Sequence, residues 1–316
     1  MNSRGIAAGI AAAIVAILLV VYFVPPVDEF QPANPFWNGL SKFYSLSSAK
    51  VDDTSLPSNG LGQVLFIIAP STPFTQIQAS YIKQFVSSGG TLVLADNFGT
   101  GNSLLKLIGI ESRFSGKLLD DALFNQGIPE LPYAFLSNSN DAIALNYATS
   151  LNISDAAAII LASSSPFSYL LDNSNSASIT YGPFPVAAKI PYGSGYIILV
   201  SDPSIFTNSM INKGSNLQFI MSLIGSSSIV YFDTSHLVYG PLDAAKEIEL
   251  HAYSMLSQFD IRYAVFLLAS AFIARQIIYS RNEDKKEDNA VDKLLKEHPE
   301  WDRLTLKRLD EEIRKE

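Results

Sequence analysis

Apolar positions follow two patterns along this chain. Gly5–Val24 (GIAAGIAAAIVAILLVVYFV) is twenty residues without a charge, and Ile261–Tyr279 (IRYAVFLLASAFIARQIIY) is a second, shorter apolar run. Between them, apolar residues come in strand-length runs or at helical spacing, separated by Gly, Pro, Ser and Asn. At about 1.5 Å per residue the first run reaches about 30 Å, the thickness of a hydrocarbon core. Arg4 precedes it and Asp28 and Glu29 follow it. Basic residues stay on the cytoplasmic side, so the N-terminus is expected inside. Phe23-Val24-Pro25-Pro26 lacks the small residues of a signal-peptidase site. An uncleaved anchor is therefore preferred to a signal peptide.

In the second run Tyr263 and Tyr279 are placed as interfacial anchors. Arg275 sits one turn from the end, close enough to snorkel, and Arg281, Lys285 and Lys286 follow. A buried helix of the soluble domain is the alternative. The expected organisation is a cytoplasmic N-terminus (1–4), a transmembrane helix (5–24), a linker (25–61), an extracytoplasmic α/β domain (62–260), a second transmembrane helix (261–279) and a cytoplasmic helical tail (280–316). This makes a two-pass protein of the cell membrane. Its first partner is the lipid bilayer, with both termini cytoplasmic and the central domain outside.

The middle changes pattern at Gln63. Gln63–Ala69 is continuously apolar, as in a strand buried on both faces. Thr72-Pro73 predicts a helix start, with Ile77, Tyr81 and Phe85 at four-residue spacing before Gly89-Gly90. Thr91–Asp96 is a second strand and Asn102–Ile108 a short helix. This alternation predicts parallel strands in an α/β layer fold, flavodoxin-like or Rossmann-like, with a mostly parallel sheet. Ser112–Asn140 reads as an insertion. Ala156–Ser163 is a predicted strand and residues 172–178 a turn. Pro185–Ile190 and Tyr196–Ser201 form a hairpin around Pro191–Gly195. Asn212–Ile224 is a helix, Ser228–Phe232 a strand, and Ala244–Leu256 a helix leading to the second span.

Charge and composition remove whole classes of function. Residues 25–259 carry nine Lys/Arg against seventeen Asp/Glu, the full −8 of the chain. Such an acidic surface argues against a nucleic-acid partner. There is no cysteine, so disulfides, thiolate metal sites and thiol catalysis are excluded. Neither a P-loop, nor GxGxxG, nor an HExxH metal motif occurs, and no cofactor or metal is expected.

Three predicted strands end in aspartate, at Asp96, Asp202 and Asp233. In open α/β sheets ligands bind beyond the carboxyl ends of the strands. The candidate ligand-binding residues are therefore Asp96, Asn97, Thr100 and Asn102, then Asp202, Ser204 and Asn208, then Asp233 and His236. Each has a structural role available as well. Asp202-Pro203 suits a helix cap, Asp96 and the glycines after it suit a tight turn, and a lone histidine satisfies itself locally. Asn152-Ile-Ser154 is an acceptor sequon for glycosylation.

The runs Gly89–Leu105, Arg113–Lys117, Ser201–Ser209 and Phe232–His236, in this order between two apolar helices, are more specific than their parts. Together they resemble an uncharacterised prokaryotic membrane-protein family, a domain of unknown function. Its ectodomain is similar to class I glutamine amidotransferases and to domains of gliding-motility and ABC-transporter accessory proteins. The resemblance implies a place in an ATPase-linked or transporter-linked membrane complex. It does not imply an amidotransferase, because the turn that holds the cysteine nucleophile in those enzymes corresponds here to Asp96-Asn97-Phe98-Gly99.

The tail 280–316 has ten basic and twelve acidic residues, which favours a protein partner over an anionic lipid surface. Val291, Leu294 and Leu295, then Leu306, Leu309 and Ile313, make two short apolar stripes broken at His298–Trp301. Residues 289–316 are expected to contact a cytosolic component. The leading expectation is a non-catalytic, membrane-anchored binding or scaffold protein. The alternative is an extracytoplasmic hydrolase or carbohydrate-active domain that uses Asp96, Asp202 and His236.

Overall fold

The structure is a computed structural model that describes residues 3–47, 50–52, 59–171, 179–225, 229–257, 263–275 and 292–313. The chain divides into two compact units, Met1–Lys246 and Glu247–Glu316. The first begins with α1 (Ser3–Phe23), α2 (Ser41–Ser47), β1 (Lys50–Asp52), β2 (Gln63–Ile68), α3 (Gln76–Ser87), β3 (Thr91–Ala95) and α4 (Gly101–Ile108). Eight shorter or antiparallel elements follow: β4 (Arg113–Phe114), β5 (Leu119–Asp121), β6 (Tyr133–Leu136), β7 (Ala142–Ala144), β8 (Leu151–Asn152), β9 (Ile159–Ser164), β10 (Ser168–Leu171) and β11 (Ile179–Tyr181). It ends with β12 (Pro185–Tyr192), β13 (Gly195–Val200), a 3₁₀ turn (Pro203–Phe206), α5 (Asn216–Ile224), β14 (Ile229–Asp233) and the start of α6 (Pro241–Ser257).

Nine strands form one sheet in the order β1-β14-β2-β3-β13-β12-β9-β6-β7. From β1 to β13 every neighbour is parallel. From β13 to β7 every neighbour is antiparallel. The fold is therefore α/β, with a large mixed sheet whose expected parallel part runs from β1 to β13 and is extended by an antiparallel part. The region expected to be an insertion supplies β4, β5 and β6, of which β6 joins the antiparallel half.

Core packing follows the two-sided apolar runs. Along β2, Val64, Phe66 and Ile68 pack on one face and Leu65 and Ile67 on the other. The first face is covered by Phe43 of α2 and by Phe219 and Ile220 of α5; the second by Ile82 and Phe85 of α3 and Leu104 and Leu105 of α4. Phe43 meets Phe66 and Phe206 edge to face, with centroids 5.0 and 5.2 Å apart. The expected linker is thus part of the core, because Leu40 and Phe43 are buried and β1 extends the sheet.

Three helix starts differ from expectation. α3 begins at Gln76, not at Pro73. Thr75 and Gln78 close a capping box, with Thr75 N donating to Gln78 Oε1 at 2.8 Å. α5 begins at Asn216 because residues 212–215 form a turn held by Asn216 N donating to the Lys213 carbonyl. α6 begins earlier than expected, at Pro241, the position in a helix that needs no amide donor.

Among the described residues no helix is long and apolar enough to cross a membrane. The first apolar run folds as α1, and its described apolar side chains from Ile14 to Val20 are exposed. In the second unit residues 263–275 are helical, while residues 261–262 and 276–279 of the expected span lie outside the described residues. The same unit has helices over residues 292–297 and Arg303–Ile313. Between them His298 stacks on Trp301 at 4.2 Å, and Asp302 Oδ2 accepts from Thr305 N at 3.0 Å. The charged linker expected over residues 280–288 and the turn at 172–178 lie outside the described residues.

Candidate functional site

β14, β2, β3 and β13 are parallel neighbours, so their carboxyl ends form one edge of the sheet. A cleft of about 460 Å³ opens there, lined by Asp28, Glu29, Phe30, Ala69, Ser71, Asp96, Asn97, Phe98, Gly99, Leu237, Val238 and Gly240. The expected strand-end position is met: residues 237–240 belong to the loop between β14 and α6, and residues 28–30, which follow α1, are the part of the wall from outside the strand ends.

Asp96 is 2 % exposed. Its Oδ1 accepts from Asn97 N at 2.8 Å and Gly99 N at 2.9 Å, and its Oδ2 from Gly101 N at 2.7 Å. Burial raises the Asp96 pKa, opposed by these three amides. Gly101 is required here, because a Cβ would lie 2.6 Å from Asp96 Oδ2. Thr100 N and Oγ1 both donate to the Pro70 carbonyl, and Ser71 N and Thr72 N donate to the His236 carbonyl. The backbone donors around this edge are thus occupied by the protein itself.

Of the other expected site residues, Asn97 lines the cleft and donates from Nδ2 to the Tyr147 carbonyl at 3.2 Å. Asn102 pairs with both backbone groups of Phe114, tying α4 to β4. Asp202 is fully buried and caps the 3₁₀ turn. Its Oδ1 accepts from Ser204 N at 2.8 Å and its Oδ2 from Asn146 N at 2.6 Å. Burial pushes its pKa up to about 7. Asn208 is a hub for the segment after α1: its Nδ2 donates to the Asn34 and Phe36 carbonyls, and its Oδ1 accepts from Lys42 N at 2.9 Å. Neither Asp202 nor Asn208 lines the cleft.

Asp233 Oδ2 lies 2.7 Å from His236 Nδ1, while Asp233 Oδ1 accepts from Ser235 Oγ at 2.6 Å. Ser235 Oγ also lies 3.0 Å from the same Nδ1. The buried His236 ring stacks on Phe74 with centroids 3.7 Å apart. In a nucleophile–base–acid relay the hydroxyl and the carboxylate address opposite ring nitrogens. Here both address Nδ1. Asn152, the sequon residue, is exposed at the end of β8.

Two features of the cleft were not anticipated. The non-glycine residues with positive φ among the described residues are Phe30 (57°), Ala69 (50°) and Tyr147 (52°). The first two line the cleft, and the third accepts the bond from Asn97. The second feature is a joint between α1 and α6. Asp243 Oδ2 accepts from Val27 N at 3.2 Å and Asp28 N at 3.0 Å, and the Asp28 carboxylate accepts from Gly240 N. Lys246 Nζ donates to the Val21 carbonyl at 2.7 Å and to that of Val24. Each helix end is thus completed by the other segment. Burial raises the Asp243 pKa, and the Asp28 carboxylate adds to the effect. The sequence signal was present in Gly240-Pro241-Leu242-Asp243, an acidic third residue after a proline start.

Among the described residues no group of His, Cys, Asp and Glu is placed to hold a metal ion. No curated protein matches the chain. Solved structures similar to it include the mmIFT52 N-terminal domain, 15 % identical over 58 % of this chain and 87 % of that one, with a TM-score of 0.45. A putative thua-like protein from Bacteroides uniformis is 14 % identical over 58 % of this chain and 78 % of that one, with a TM-score of 0.33. A beta-galactosidase from Bacillus circulans sp. alkalophilus is 15 % identical over 48 % of this chain, with a TM-score of 0.31, and the match spans 22 % of that enzyme. Residues 32–224 match the family described as "Domain of unknown function (DUF4350)", and the chain belongs to that family.

Proposed function

We propose that this protein is a non-catalytic binding or scaffold protein, anchored in the membrane by residues 5–24 and 261–279. Its amidotransferase-like domain is outside, and its tail, 289–316, contacts a cytosolic component of an ATPase-linked or transporter-linked complex. The observation that carries the binding reading is the placing of Phe30 and Ala69, both with positive φ, on the wall of one cleft, with Tyr147 bonded to the cleft residue Asn97. Left-handed backbone costs about 1–2 kcal/mol for an L-residue, persists where the surrounding structure over-determines it, and clusters at functional sites. The non-catalytic reading is supported by the occupied state of the polar groups. Both oxygens of Asp96 and of Asp202 accept backbone amides, and His236 addresses Asp233 and Ser235 through one nitrogen. Anchoring is supported by the uncharged run at 5–24 and by Lys246, which ties the end of α1 to the domain.

The test places a photo-crosslinking amino acid at Phe98, on the cleft wall, in the full chain in its own membrane. A discrete adduct that is lost on Phe30→Gly supports a binding cleft. No adduct, or turnover of a panel of glycosides and esters that disappears in Asp96→Asn, overturns the reading. Because the chain has no cysteine, single cysteines at Asn152 and Glu300 report topology directly. Impermeant maleimide is expected to label the first and not the second.

A further inference from the structure

We infer that the carboxyl edge of the sheet rests on the bilayer that holds α1, with Trp37 as its interfacial anchor and the cleft opening towards the lipid surface. This rests on the anchored reading above. Large apolar side chains are exposed on loops from separate parts of the chain, all at this edge. Phe98 (54 % exposed) follows β3, Val238 (60 %) follows β14, and Trp37 (66 %) stands beside Phe36 in the segment after α1. That segment is fixed there. The Trp37 carbonyl accepts from Ser209 N at 3.0 Å, and the Phe36 carbonyl accepts from Asn208 Nδ2 at 2.6 Å. Both donors follow the 3₁₀ turn beyond β13.

The end of α1 is fixed to the same edge. Asp28, five residues beyond Phe23 at the end of α1, accepts from Gly240 N, and Lys246 holds the Val21 and Val24 carbonyls. Phe30 N donates to the Asn38 carbonyl at 3.0 Å, and Asn34 Nδ2 donates to the Asp28 carbonyl at 2.8 Å. The Trp37 loop therefore cannot swing away from the point where α1 ends. Residues 30–41 carry no charge, as a loop entering a headgroup layer requires. Tryptophan, with an apolar body and one N–H donor, is the side chain favoured at that depth. The occupant is a lipid surface, and a zwitterionic one, because Glu29 and Asp28 stand on the same edge and repel anionic headgroups.

The chain has two tryptophans, so Trp301→Phe leaves Trp37 as the sole reporter. The full-length variant is reconstituted in phosphatidylcholine nanodiscs, plain or carrying bromine at shallow or deep acyl carbons. Trp37 is expected to emit at shorter wavelength than free tryptophan. It should lose most of its emission to shallow bromine, lose less to deep bromine, and resist aqueous iodide. Emission quenched by iodide and untouched by bromine overturns the proposal. So does protection from both quenchers, which would place another protein over Trp37. Alkaline carbonate extraction separates the two readings. A chain released by carbonate refutes the anchor itself, whereas a retained chain with an unquenched Trp37 refutes only the docked edge. Trp37→Tyr is the second variant; it should keep the domain docked, read as unchanged protease protection of residues 30–41, while Trp37→Asp removes that protection.

Discussion

Asp202 gives the sharpest energetic test, because its environment is fully specified. It is completely buried, both oxygens accept backbone amides, and no cation is bonded to it among the described residues. Burial raises its pKa from 3.8 to about 7. Between those values the folded chain holds a proton that the unfolded chain has released, so stability falls as pH rises from about 4 to about 7 and is level above. At about 1.4 kcal/mol per pH unit, the side chain withdraws about 4 kcal/mol across that window. For a domain of about 200 residues this is roughly 8–16 °C in Tm. The assay is thermal unfolding of the full chain in detergent from pH 4 to pH 8, for wild type and Asp202→Asn. The asparagine turns an N–H against an amide donor, so the variant should be less stable at pH 4 by about 1–3 kcal/mol. Its profile should lack the fall attributed to Asp202, so that the gap closes or reverses by pH 8. Parallel profiles across the range would refute the buried, uncompensated carboxyl.

Three further outcomes follow from the geometry. Asn208→Ala removes the donor to the Asn34 and Phe36 carbonyls and the acceptor of Lys42 N, and should cost about 2–4 kcal/mol; hydrogen exchange should quicken across residues 34–42 before it does elsewhere. Because burial and the Asp28 carboxylate raise the Asp243 pKa, the folded joint favours the protonated acid, and its stability falls as pH rises through the titration of that group. Exchange at the Val27 and Asp28 amides, corrected for intrinsic chemistry, should therefore lose protection as pH is raised in wild type, and not in Asp243→Asn. Phe43→Ala empties a fully buried ring site between Phe66 and Phe206 and should cost about 3–5 kcal/mol in denaturant unfolding, which would be far too much for a surface linker.

The parallel half of the fold was legible because its strands are apolar on both faces. Gln63–Ile68 and Thr91–Ala95 admit one reading, and the helix between them has the spacing and the terminal glycines to match. Of the antiparallel half, β9 and the β12–β13 hairpin were legible, but β6 and β7 were not. These two include residues of intermediate exposure, and their small residues, such as Ala134, Ala142 and Ala144, give neither a two-residue nor a helical period. β1 and α2 were hidden by the prolines around them, although Leu40 and Phe43 proved to be core. The aspartates that end the strands were found correctly as positions. Their roles turned on which amides lie within reach, and that depends on loop conformations such as the turn from Asp96 to Gly101.

The cleft shows why a site of this kind resists sequence reading. Its walls come in part from segments more than two hundred positions apart, residues 28–30 and 237–240, joined where Asp28 meets Gly240 and Asp243 meets Val27. Neither segment resembles a motif, since one is the connection after the apolar α1 and the other the short loop between β14 and α6. The same connections line the cleft and complete the ends of α1 and α6. A group that displaces Asp28 from Gly240 must therefore uncap α6, and a shift of α6 must move the wall at residues 237–240. Coupling of this sort needs no relay through the sheet, because the site and the joint share residues. A ligand that bound the cleft by displacing Asp28 would be linked reciprocally to the α1–α6 joint, by whatever free energy distinguishes the capped from the uncapped joint.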